Sequence, residues 1–176
     1  MQKILKRKII KVGILGGTFD PPHKGHVHIS RVALKKLKLD KIIWIITKKN
    51  PFKKKPYLSL KSRISLCKKI TNREKKIYIK FLDNKIKSNN TYSLLKYIQK
   101  KEPKKNLYFL MGADNLKKFH YWNNWKKIPN LAKIVVFARQ NYYIKSIATK
   151  KLSKKDWVYI NSKKVNISST LIRKFW

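Results

Sequence analysis

The residues best equipped for chemistry lie close together near the start of the chain, in Gly16-Gly17-Thr18-Phe19-Asp20-Pro21-Pro22-His23-Lys24-Gly25-His26. The apolar run Ile9 to Leu15 precedes them and an amphipathic segment, Val27 to Leu37, follows. The order is strand, glycine turn, helix N-terminus. That is a natural phosphate cradle, because the first helical N–H groups lack partners within the helix and carry partial positive charge. Gly16 and Gly17 allow φ angles and a close backbone approach that a Cβ would obstruct. Asp20-Pro21-Pro22 predicts a rigid turn that presents His23 at the helix entrance. His23 and His26 fall within one helical turn and point in similar directions, and Gly25 between them leaves room for a bulky group to approach the backbone. Imidazolium groups there can donate hydrogen bonds to phosphate oxygens and stabilise charge that develops in a transition state. Other chemistries fit less well. His28 should point away from His26 on a helix, and no cysteines or second carboxylate cluster nearby, so a metal site is disfavoured. No Gly-Lys-Ser/Thr follows the glycines at the required spacing, which excludes a P-loop, and the G-x-G-x-x-G dinucleotide fingerprint also fails.

These residues need a scaffold to position them. The chain reads as short apolar runs separated by helical patterns: strands at Ile9–Leu15, Ile42–Ile46, Lys76–Leu82, Asn106–Met111, Ile134–Phe137 and Trp157–Ile160. Between them lie helices at Val27–Leu37, Leu60–Ile70 with Ser59 as N-cap, Asn89–Lys101 and Asn115–Lys127, the last closed by Pro129 and Asn130. Ser168-Ser169-Thr170 caps a final helix, Leu171 to Trp176. Strands alternating with helices predict an α/β fold: a three-layer, Rossmann-like, doubly wound parallel sheet. Such sheets bind ligands at the carboxyl ends of strands where the strand order reverses. Three stretches fall at or near such ends: Gly16 to His26, Gly112 to Asp114, and Ser168 to Arg173. Gly112 and Asp114 fit a helix N-cap and equally a carboxylate that accepts ribose hydroxyls.

Composition limits the alternatives. With 176 residues and 43% hydrophobic content, one globular domain spanning 1–176 is expected. No apolar run approaches the roughly 20 residues needed to cross a bilayer, and the basic-then-apolar start reads as a first strand, not a signal peptide. A single cysteine, Cys67, cannot form an internal disulfide, which fits a reducing cytoplasm. The formal charge of +39, from 46 basic against 7 acidic residues, raises a nucleic-acid-binding protein as an alternative. Lysine is spread through nearly every segment instead of forming one arm, and arginine is scarce, so no specific nucleic-acid partner is expected.

The first motif resembles the signature of the nucleotidylyltransferase superfamily, with wording closest to the nicotinate mononucleotide adenylyltransferases. Ile167-Ser168-Ser169-Thr170-Leu171-Ile172-Arg173 resembles the second motif of that family, and Met111-Gly112-Ala113-Asp114-Asn115-Leu116 with Phe119-His120-Tyr121-Trp122 resembles its G-A-D and tryptophan region. The resemblance implies transfer of AMP from ATP to nicotinate mononucleotide, giving deamido-NAD and pyrophosphate, with Mg²⁺ carried mostly by phosphates and water. It implies that Gly16, Gly17, Thr18, Phe19, His23, His26, Gly112, Asp114 and Ile167 to Thr170 bind ATP. His23, His26, Thr18 and Arg173 would act on the reacting phosphates, and the helix 168–176 would complete the ATP site. Trp122 would stack on the nicotinate ring, Thr91 would receive its carboxylate, and Lys53 would lie near the acceptor phosphate. Trp125 is expected in the core. The chain departs from the family around Thr91, where S-Y-T-x-D-T is replaced by Asn89-Asn90-Thr91-Tyr92-Ser93-Leu94, and after Asn50-Pro51, where Phe52-Lys53 replaces Pro-His. Nicotinamide mononucleotide and phosphopantetheine therefore remain alternative acceptors.

Overall fold

The computed structural model describes residues 9–52, 54–138, 146–161 and 167–175. Six strands, β1 (Ile10–Gly17), β2 (Lys41–Ile46), β3 (Ile77–Phe81), β4 (Lys105–Gly112), β5 (Lys133–Phe137) and β6 (Trp157–Ile160), form one sheet in the order β3-β2-β1-β4-β5-β6. Every pairing is parallel. The order reverses between β1 and β4, so a crevice opens at their carboxyl ends. The continuous apolar run of β2 follows from burial on both faces: Ile42, Ile43, Trp44, Ile45 and Ile46 are all in the core.

Helices cover both faces, giving the expected three layers. On one face α1 (Lys24–Lys36) and α2 (Leu60–Ile70) bring Val27, Ala33 and Cys67 against Trp44, Ile46, Leu110 and Phe137. On the other, α4 (Thr91–Lys101), α5 (Ala113–Lys118) and α6 (Ile147–Lys151) bring Leu94, Leu95, Ile98, Leu116 and Ala148 against Ile14, Ile43, Phe109 and Val136. Short helices α3 (Asp83–Ile86) and α7 (Ser169–Arg173) complete the described elements. The sequence reading did not anticipate α3 and α6.

The expected helix over Asn115–Lys127 does not exist as one element. It breaks into α5 and two 3₁₀ turns, Phe119–Tyr121 and Trp125–Asn130. Trp122 is extended, with ψ of 145°, and Asn124 is left-handed, with φ of 50°. Apolar spacing alone suggested continuity, but asparagine tolerates the left-handed region and Pro129 sits inside the second turn. The last helix likewise starts earlier than expected, at Ser169, and ends at Arg173.

Candidate active site

The first motif lies at the carboxyl end of β1, at the switch point. The glycines end the strand, and none of the glycines has a positive φ; the left-handed residue is Phe19, with φ of 50°. The expectation that Gly16 and Gly17 supply unusual φ angles is therefore wrong. Gly16 serves by absence of a side chain: a Cβ there would meet only Phe109, at 3.8 Å, so the strand end is open to a ligand. The Phe19 ring turns inward instead, stacking on Trp44 with centroids 4.9 Å apart and backing the His26 ring at 4.9 Å.

His23 is the N-cap of α1, so His26 is its third helical residue. The two rings lie 3.8 Å apart between centroids. The His23 N–H donates to His26 Nδ1 at 3.2 Å, so a proton on the His26 ring belongs on Nε2. Below, Trp44 Nε1 donates to Ser30 Oγ at 2.9 Å, which donates to the His26 carbonyl at 2.8 Å, locking this turn of α1 onto the sheet. No acidic residue occupies the first turn of α1, so the partial positive charge of the helix start is not neutralised there by a carboxylate; the His26 N–H itself donates to the His23 carbonyl at 2.9 Å. The space expected at Gly25 is filled by His23: a Cβ on Gly25 would stand 2.9 Å from His23 Nδ1 and 3.0 Å from Cε1. Gly25 is there so that the His23 ring can fold over the helix.

Two adjoining cavities share Gly16, Phe109 and Trp122 as a common wall. The first, about 810 Å³, is lined by His23, Gly25, His26, Gly112, Asp114 and Ile167 among others. The second, about 1090 Å³, is lined by Gly17, Thr47, Asn50, Asp83, Asn90 and Thr91 among others. Trp122 reaches the boundary by edge-to-face contacts with Phe109 and Phe119, at 6.0 and 5.2 Å between centroids. Trp125 packs on the core, as expected, also against Phe119. His28, expected to point away, lines the first cavity as well.

The second cavity is walled by the N-terminus of α4, where Asn90 Oδ1 accepts from the Ser93 N–H at 2.8 Å. Asn90 thus caps the helix and leaves Thr91 facing the cavity. Asp83 accepts from Thr47 Oγ1 at 2.8 Å and the Lys48 N–H at 2.7 Å, tying the loop after β2 to α3. Lys53 lies outside the described residues.

The terminal motifs meet. Ser169 Oγ donates to the Pro21 carbonyl at 2.8 Å, and Arg173 Nη1 donates to the Asp20 carbonyl, with Asp20 Oδ2 3.7 Å away. The Arg173 guanidinium also lies over the Tyr57 ring, 5.0 Å from its centroid. Ser168 Oγ is occupied as the N-cap, accepting from the Leu171 N–H, and Thr170 Oγ1 accepts from Arg173 at 3.4 Å. Of this motif only Ile167 lines a cavity, and Thr18 lines neither. These contacts hold Ser168, Ser169, Thr170 and Arg173 beside the first motif.

Sequence reasoning missed two residues. Asp20, 5% exposed, accepts from the Tyr57 and Leu58 N–H groups, each at 2.9 Å. Arg63, 2% exposed, spends its guanidinium on main-chain carbonyls, among them that of Thr47, which lines the second cavity. Burial pushes the Arg63 pKa down, opposed by the charge of Asp20. One faint signal was available: arginine is scarce among so many lysines.

Among the described residues, no cluster of three or more His, Cys, Asp or Glu can hold a metal ion, and no helix is long and apolar enough to cross a membrane. The cytidylyltransferase-like family model matches residues 14–175. A Pelagibacter ubique protein named "Probable nicotinate-nucleotide adenylyltransferase" is 48% identical over 97% of this chain and 96% of its own. A Ruegeria protein of the same name is 34% identical over 93% and 96%. In structure, Plasmodium falciparum nicotinic acid mononucleotide adenylyltransferase complexed with NaAD superposes with a TM-score of 0.81, at 24% identity, over 94% of this chain and 83% of that one. That likeness establishes the fold. With the family match across the chain and these relatives along its whole length, the chain belongs to the cytidylyltransferase-like family, in its nicotinate-nucleotide adenylyltransferase branch.

Proposed function

We propose that this chain transfers the adenylyl group of MgATP to nicotinate mononucleotide, giving deamido-NAD and pyrophosphate for NAD biosynthesis. The observation that carries this reading is the pair of cavities meeting at Gly16, Phe109 and Trp122, one under the N-terminus of α1 and one at that of α4. Two anionic nucleotides can lie there with their phosphates converging on the end of β1. The names of the full-length relatives support the same substrates.

ATP takes the first cavity, where Asp114 accepts ribose hydroxyls and the main chain at Gly112 and Ile167 borders the nucleoside. Its phosphates lie at the start of α1, under the N–H groups of the first turn and the His23 and His26 rings. Nicotinate mononucleotide takes the second cavity, its ring against Trp122 and its carboxylate at Thr91 and the α4 N-terminus. A phosphate oxygen of the acceptor attacks the α-phosphorus, forming a new O–P bond while the bond to the β-phosphate oxygen breaks. Pyrophosphate leaves with that electron pair. The acceptor phosphate is already anionic, so no proton must be removed, and catalysis is positioning with charge stabilisation. His26 Nε2–H is the donor best placed to follow charge onto the leaving oxygens. Mg²⁺ entering with ATP as part of the substrate would neutralise charge on the leaving pyrophosphate. The carboxylate of Asp20 is already committed to Tyr57 and Leu58 N–H groups. The whole described chain acts as one domain, with α7 closing the ATP side through its contacts with Asp20 and Pro21. A reducing cytoplasm suits the buried free thiol of Cys67.

The test supplies purified protein with MgATP and, in separate reactions, nicotinate mononucleotide, nicotinamide mononucleotide or phosphopantetheine, and follows pyrophosphate release. Release is expected with nicotinate mononucleotide at the highest kcat/KM. No release with that acceptor overturns the proposal, and equal rates with nicotinamide mononucleotide overturn the choice of acceptor. DNA binding that survives physiological salt, with no turnover of any acceptor, would favour a nucleic-acid partner instead.

A further inference from the structure

Arg63 is buried in a helix otherwise rich in lysine, and its guanidinium serves four carbonyls from three places in the chain. Nη1 donates to the Thr18 carbonyl at 2.7 Å and to the Thr47 carbonyl at 2.8 Å. Nη2 donates to the Lys48 carbonyl at 3.1 Å, and Nε to the Leu58 carbonyl at 3.2 Å. Thr18 belongs to the turn that leads to His23; Thr47 lines the acceptor cavity, as do Asn50, Pro51 and Phe52 farther along the same loop. A second set of bonds runs in parallel. The Thr47 N–H donates to the Gly17 carbonyl at 3.0 Å, and Asp20 receives the Tyr57 and Leu58 N–H groups. Both ends of the 47–58 loop are thus fastened to the 17–20 turn, and Arg63 joins the two fastenings through one rigid planar group.

We infer that Arg63 is a positioning residue that sets the distance between the ATP-phosphate turn and the acceptor loop, and hence the reach of the acceptor phosphate to the α-phosphorus. The inference rests on the adenylyl-transfer reading above and extends it to a residue that lines neither of the two cavities. Burying a guanidinium is costly, and carbonyl dipoles with the nearby Asp20 charge offset it only if all four bonds are kept. Lysine, a point charge with three donors on a flexible stem, cannot span the same carbonyls in one plane.

The test is Arg63→Lys, with Arg63→Ala assayed in added methylguanidinium. Misplacing one reactant by about 1 Å costs on the order of a hundredfold, so Arg63→Lys should lower kcat about a hundredfold while either KM moves by no more than about threefold. Methylguanidinium should restore part of the turnover of Arg63→Ala and none in Arg63→Lys. Hydrogen exchange at the Thr47, Tyr57 and Leu58 amides should quicken in Arg63→Lys, with strand amides of β1 and β4 unchanged. A folded Arg63→Lys with kcat within about threefold of the unaltered protein overturns the inference, as does a change confined to one KM. Failure of Arg63→Lys to fold also overturns it, since the guanidinium would then be a determinant of the fold and not a spacer. If the unaltered protein shows no adenylyl transfer, the substrate reading fails, and the exchange measurement alone decides whether Arg63 holds the loop to the turn.

Discussion

Gly25→Ala separates the site from the fold more sharply than any other single change. The added Cβ would stand 2.9 Å from His23 Nδ1 and 3.0 Å from Cε1, where carbon contacts normally settle at about 3.5–4.0 Å. The Ile167 Cγ2, 3.4 Å away, blocks retreat of the methyl group in that direction. The His23 ring must therefore give way by about 0.5–1 Å. That ring is buried and packed 3.8 Å from the His26 ring, so the displacement passes to both histidines. A shift of this size at a phosphate-binding group is worth on the order of a hundredfold in kcat, about 2.7 kcal/mol on the barrier. Stability should change little. Position 25 lies in the first turn of α1, where alanine is favoured over glycine by up to about 1 kcal/mol, offsetting part of the clash. The assay pairs pyrophosphate release at saturating substrates with thermal unfolding of the same preparation. A variant that melts near the unaltered protein yet turns over about a hundredfold more slowly is the expected result. Full activity would show that the placement of the His23 ring does not matter, and loss of folding would show that Gly25 serves the helix and not the site.

Other expectations follow from the same geometry. His26→Ala should lower kcat by about two to three orders of magnitude with circular dichroism unchanged, because one preorganised donor is lost; near-normal turnover would make the histidine pair structural. Burial raises the Cys67 thiol from its ordinary value near 9 to about 12, so it should resist thiol reagents in the folded protein and react once urea unfolds it. Between those two pH values the unfolded chain loses the thiol proton while the folded one keeps it, so this group makes stability fall as pH rises. Cys67→Ala should show a shallower loss of urea midpoint between about pH 8 and about pH 10. Finally, the +39 formal charge should draw anionic substrates, so kcat/KM for MgATP should fall by about tenfold or more between about 20 mM and about 150 mM salt. A flat salt profile would mean that the scattered lysines do not steer ATP.

The scaffold was largely legible in the sequence because its signals are local. Six short apolar runs ended by glycine or polar residues became six parallel strands, and the unbroken Ile42–Ile46 run became an interior strand. The three motif regions were readable as strand-end features, and the structure brings the first and last into contact through Pro21, Asp20, Ser169 and Arg173. What was not legible depends on contacts far apart in the chain. Nothing in Lys61-Ser62-Arg63-Ile64 says that this cation meets carbonyls at positions 18, 47, 48 and 58. The motif's Asp20 looked like a turn residue, yet it anchors a loop 37 residues away. The left-handed Phe19 defied propensity because stacking on Trp44 and backing His26 holds it there. The break at Trp122 and Asn124 was hidden by apolar spacing that fits a helix as well as a chain of turns.

The central claim is direct transfer: the acceptor phosphate itself displaces pyrophosphate, and no side chain carries the adenylyl group in between. Isotope exchange between ATP and labelled pyrophosphate tests it, measured with MgATP present and nicotinate mononucleotide withheld. Direct displacement predicts no exchange above background until the acceptor, or deamido-NAD, is added. Exchange without either would require an adenylyl-enzyme and would contradict the account.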